Sequence, residues 1–99
     1  MPRLVLIFLL SGLAVSPAFA QLKLGQATLD SLLAQLPKTK PDTNRVNLLY
    51  RISFTYIRIE PNTGISYANQ CLALAQQLKW KKGIVNAYNA LGTNYRAFL

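Results

Sequence analysis

The sequence predicts an all-α fold of antiparallel helix-turn-helix units (an α-solenoid) preceded by a signal-peptide helix. Three observations carry this. Apolar residues recur at i, i+3, i+4 and i+7 along the chain after residue 28. Polar breaks containing Pro or Gly separate those stretches at 37–41, 60–64 and 79–83. A segment beginning at Leu49 recurs at Tyr88, an offset of 39 residues.

The leader comes first. Met1-Pro2-Arg3 is a short positive start, and Leu4 to Leu10 is an unbroken apolar run that Leu13-Ala14-Val15 extends. Ser16-Pro17 breaks the run, and Ala18-Phe19-Ala20 places small residues at the two positions a signal peptidase reads. This predicts a secretory signal peptide over 1–20, cleavage after Ala20, and a secreted or periplasmic protein. The apolar stretch of about 12 residues falls short of the roughly 20 that a spanning helix needs, so no membrane span is expected after cleavage.

Residues 21–42 read as a short helix and linker. Leu29, Leu32, Leu33 and Leu36 form one stripe, and Pro37 stops it by pushing its predecessor out of the α region. Asp42 then offers an N-cap to a second helix over Thr43–Ile59, with Val46, Leu49, Ile52, Ser53 and Tyr56 on one face. The β-branched and aromatic run Ile52–Ile57 also fits a strand. It is apolar on nearly all sides and too long between breakers for one strand, which favours helix. Asn62 and Thr63 are candidate caps for a third helix from Gly64 to Leu78, buried through Ile65, Ala68, Cys71, Leu72, Ala75 and Leu78. Lys79, Lys81 and Lys82 follow its end, where cations meet the helix dipole favourably. Gly83 is read as the turn. A fourth helix starts near Ile84, with Ile84, Tyr88, Leu91, Tyr95 and Phe98 on its inner face.

Composition narrows the function. The 99 residues allow one domain and carry a net charge of +8. The charge reflects a shortage of acids, since Asp30, Asp42 and Glu60 are the only ones. With no histidine and one cysteine, Cys71, there is no intrachain disulfide, no Cys/His zinc site and no base for a Ser-His or Cys-His nucleophile. The chain therefore reads as a non-enzyme with no metal and no cofactor. Export argues against a nucleic-acid partner. The lysines share no face with a separate apolar stripe, which argues against an amphipathic membrane-surface peptide.

The two related segments are Leu49-x2-Ile52-Ser53-x2-Tyr56 and Tyr88-x2-Leu91-Gly92-x2-Tyr95, with Ala68-x3-Leu72-x2-Ala75 between them. Over residues 43–99 this resembles the tetratricopeptide repeat family, in its long-period bacterial form: an aromatic, Leu-Gly and Tyr on helix A, then Ala-x3-Phe and a second Ala on helix B. Leu49 and Tyr88 stand at the tryptophan position, Ser53 at the first glycine, Leu72 at the phenylalanine and Trp80 at the closing proline. The period exceeds the usual length of about 34.

The resemblance implies one full helix pair plus the first helix of the next, with Gly92 on a packed side. The chain then reads as the N-terminal fragment of a longer array, with self-association through the unpaired last helix. It also implies a peptide-binding concave wall carrying Asn47, Tyr50, Phe54 and Arg58 on the second helix, and Asn86, Asn89, Thr93 and Arg96 on the fourth. Amides and arginines there suit an extended, acidic peptide or a terminal carboxylate. The expected function is a non-catalytic protein–protein interaction module in the cell envelope. The alternative is the sensory front of a membrane sensor histidine kinase whose catalytic part lies beyond residue 99.

Overall fold

A computed structural model describes residues 17–99, excepting the side chain of Phe19; most of the expected leader lies outside the described residues. The described chain is all-α. Four helices, α1 (Pro17–Gln35), α2 (Thr43–Tyr56), α3 (Pro61–Gln77) and α4 (Lys81–Arg96), follow one another, with a 3-10 turn at Leu36–Lys38 after α1.

Helix α1 is longer than the short helix expected, because it begins at Pro17 and runs through Ala20. Its stripe Leu29 and Leu32 packs with Leu48 and Ile52 of α2. Pro37 ends it as expected, in the 3-10 turn. Arg45 fastens the connector to α2 by donating to the Leu36 carbonyl at 3.1 Å and to the Thr39 hydroxyl at 3.1 Å. Asp42 is the N-cap of α2, accepting from the backbone N–H groups of Asn44 and Arg45.

Helix α2 buries two sides, which explains its strand-like composition. Leu48 and Ile52 face α1, while Val46 and Leu49 join Cys71, Ala75 and Ala87 in a second core cluster. The helix ends at Tyr56, three residues before the expected Ile59, and residues 57–59 form a turn.

Helix α3 starts earlier than expected. Its N-cap is Glu60, whose carboxylate accepts from the Asn62 N–H at 3.2 Å, and Pro61 takes the first helical position. Proline suits that position because its fixed φ is helical and its missing N–H had no intrahelical partner to lose. Asn62 and Thr63 are thus inside the helix and do not cap it. At the other end Leu78 is the C-cap, and Lys79 turns the chain with φ 54°. Trp80 N–H reaches the Ala75 carbonyl and Lys79 N–H the Gln76 carbonyl. This is the two-bond Schellman closure, with lysine where glycine is preferred.

The turn is therefore made by Lys79 and not by Gly83, which lies inside α4. A Cβ at Gly83 would come within 2.5 Å of the Trp80 ring and 3.1 Å of Ala75 Cβ. Lys81 and Lys82 likewise do not trail α3; they open α4, whose N-cap Trp80 makes no side-chain cap bond.

The inner face of α4 is not the one expected. Gly83, Ala87, Ala90 and Asn94 are buried, whereas Tyr88, Tyr95 and Phe98 are exposed. The buried residues of α3, Gly64, Ala68, Cys71 and Ala75, have the same four-three-four spacing. Ala75 meets Gly83 at one end of the pair and Gly64 meets Asn94 at the other, so the helices run antiparallel with small residues facing each other. Small side chains let the backbones approach; a periodicity read from large residues alone selects the other face. Gly92 also departs from expectation, since a Cβ there would find nothing within 4 Å.

One polar node sits where α2, α3 and α4 meet. Ser53 Oγ donates to the Gly64 carbonyl at 2.7 Å, and Asn94 Nδ2 donates to Ser53 Oγ at 3.1 Å and to the Ala90 carbonyl at 2.9 Å. Asn94 Oδ1 has no partner. Every other polar atom of the node is satisfied within the protein, which ties the three helices to one register.

Candidate peptide-binding groove

The antiparallel order brings the C-terminal end of α2 beside the first half of α1 and the second half of α4. An open groove of about 780 Å³ lies between them. Phe54 and Thr55 come from the last turn of α2, and Ile57, Arg58 and Ile59 from the turn after it. Leu22, Leu24 and Gly25 form the α1 wall with Ala18 and Gln21, and Thr93 closes the α4 side. Helix α1 passes Ile59 at Gly25 without needing a glycine, since a Cβ there would meet Ile59 Cδ1 at 3.7 Å, an ordinary contact.

Arg58 is the one charged residue of the lining. Its guanidinium donates to Gln21 Oε1 at 3.4 Å, a long bond that leaves most of its five donors to solvent. The nearest acid in sequence, Glu60, is occupied in capping α3. The groove therefore offers apolar walls, two hydroxyls, one amide and one under-compensated cation. That set is chemically suited to an apolar side chain next to a carboxylate.

Of the expected wall residues, Phe54, Arg58 and Thr93 line this groove. Tyr50 supports it from below, its ring edge-on to Phe54 with centroids 4.8 Å apart. Thr93 is oriented by donating its hydroxyl to the Asn89 carbonyl at 2.7 Å. Asn47, Asn89 and Arg96 are exposed and Asn86 is half-buried, and none of the four is in the lining. Arg58 and Arg96 are thus not brought to one site.

The α1 residues Gln21, Leu22, Leu24 and Gly25 were missed because the stripe was read only from Leu29. Extended backward, Leu36, Leu32, Leu29, Gly25 and Leu22 keep a three-four spacing that carries the helix to the groove.

Among the described residues there is no cluster of three metal-ligating side chains, and no helix is long and apolar enough to cross a membrane. Comparison of the chain with protein-family models, with curated proteins and with solved structures finds no match to any of them.

Proposed function

We propose that the chain is a non-catalytic helical-repeat interaction module of the cell envelope that holds a peptide segment through an apolar residue and an adjacent carboxylate. The observation that carries this is the groove at the α1/α2/α4 junction, whose lining is apolar except for Arg58 and a few neutral polar groups. The tetratricopeptide-like spacing of residues 43–99 supports the repeat reading, and the leader pattern over 1–20 supports export; cleavage after Ala20 would take only Ala18 from the groove lining. A chain without histidine, and a groove lined by one arginine and no acid, favour retention of a ligand over its turnover.

The test is titration with a short peptide ending in an aliphatic residue, in free-acid and amide forms. The free acid should bind roughly tenfold more tightly, since a charge-assisted hydrogen bond contributes about 1.5–3 kcal/mol. Arg58→Gln should remove that preference, and added salt should weaken it. Equal binding of acid and amide, or an unchanged preference in Arg58→Gln, would reject the reading.

A further inference from the structure

The opposite end of the helix stack has different chemistry. There the 3-10 turn after α1, the start of α2, the end of α3 and the start of α4 come together. Leu36, Val46, Trp80 and Ile84 all pack in one cluster at that end. This topology gathers Lys38 and Lys40 from the first connector with Lys79, Lys81 and Lys82 from the α3–α4 turn, and all five are exposed. The only acid in these segments, Asp42, is held as the α2 cap. Arg45 is half-buried and turns its Nη1 inward to Leu36 and Thr39.

Local structure disfavours three of these lysines in one respect each, although Lys79 also sits at the negative end of the α3 dipole. Lys79 occupies a left-handed turn position, which an L side chain adopts at a cost. Lys81 and Lys82 fill the first turn of α4, where the helix dipole is positive, and no acid stands in that turn. Charge there is retained despite local preference.

We propose that this end, formed by Lys38, Lys40, Lys79, Lys81 and Lys82 around Trp80, docks on an anionic phospholipid headgroup layer. The cations available are lysines on flexible stems, which act as point charges and suit a diffuse, anionic surface. Bidentate recognition of carboxylates or bases is the work of arginine, and the one arginine here is half-buried with a terminal nitrogen turned inward. The groove lies at the far end of the stack. Trp80 is half-buried and Leu78 is 37% exposed, an amphipathic pair at the level where lipid headgroups would lie.

Trp80 is the only tryptophan in the chain, so it reports this end alone. The experiment uses the chain from Gln21 onward, as cleavage after Ala20 would leave it, with phosphatidylcholine vesicles that carry a nitroxide quencher at headgroup level, with and without about one third phosphatidylglycerol. Trp80 should be quenched on the anionic vesicles only, and salt should reverse it. The variant Lys81→Gln/Lys82→Gln should need roughly thirtyfold more anionic lipid for the same quenching. It should also melt no lower than the parent, because two cations leave the positive end of α4. The charge-matched variant Lys23→Gln/Arg51→Gln should shift the curve far less.

Equal losses in the two variants would mean that net charge alone acts, and would overturn the proposal. So would quenching independent of phosphatidylglycerol, or no quenching at all. Protection of Trp80 by duplex DNA with none by vesicles would assign the patch to a different polyanion and overturn it too.

Discussion

Helices α2 and α4 carry related faces into opposite surroundings. At the 39-residue offset, Val46 corresponds to Val85, Leu49 to Tyr88, Ser53 to Gly92 and Tyr56 to Tyr95. In α2 the first two are 1% and 2% exposed and Ser53 is fully buried, because α3 and α4 lie over them. In α4, Val85 is 58% and Tyr88 56% exposed, and Gly92 faces open space. The same register is therefore a core in one helix and a surface in the other. What separates them is the presence of an overlying helix with small residues, not the face itself.

Substituting lysine at the paired valines is the most severe way to break this comparison. Val46→Lys places an unpaired charge in the core and should cost more than about 3 kcal/mol, comparable to the whole stability of a core this small. Val85→Lys should stay within about 0.5 kcal/mol. Urea denaturation followed by circular dichroism reads both; an equally damaging Val85→Lys would mean that the outer face of α4 is covered after all. We propose that this same face mediates self-association, so Val85→Lys should also lower any concentration-dependent mass in sedimentation.

The glycines sharpen the comparison. Gly64→Ala puts a methyl group against Asn94 Oδ1 and 3.0 Å from the Ser53 carbonyl, and should destabilise by about 1–3 kcal/mol. Gly92→Ala meets nothing and should stabilise by about 0.5–1 kcal/mol through helix propensity alone. Thermal melts giving both substitutions the same sign would contradict the assignment of faces.

The smallest effect is expected at the turn that joins the two small-residue helices. Lys79→Gly relieves a φ of 54° but frees the unfolded chain, so a net gain of about 0.5 kcal/mol is expected. A loss of stability would show that the lysine side chain holds the turn.

What the sequence made legible follows from the size of each signal. The Asp42 cap and the Pro37 stop are single-residue effects of backbone chemistry, and both stand where they were read. The start of α3 was misread because Asn62 and Thr63 are better capping residues than Glu60, while Pro61 at the first position overrides that preference. The inner face of α4 was misread because Ala87 and Ala90 add little to a hydrophobic stripe, although they permit the closest helix contact. In the groove, Phe54, Arg58 and Thr93 were visible from repeat register, while the α1 wall was hidden because the α1 stripe was read only from Leu29.

Cys71 adds a kinetic consequence. Its thiol is fully buried, donates to the Val46 carbonyl at 3.4 Å, and is raised by burial from 9.0 to about 11. Thiolate forms first in the unfolded chain, so this group's contribution to stability is complete below pH 9 and is lost as pH rises toward 11. Below that window the native thiol is both shielded and protonated, and an alkylating reagent at pH 8 can react only during openings that part α3 from α2 or from α4. The rate of labelling at the chain's single cysteine thus reports the open fraction of the stack when reclosing outpaces alkylation, and the opening rate when it does not, without any introduced probe. A rate equal to that of a small free thiol would show that the packing around α3 stands open.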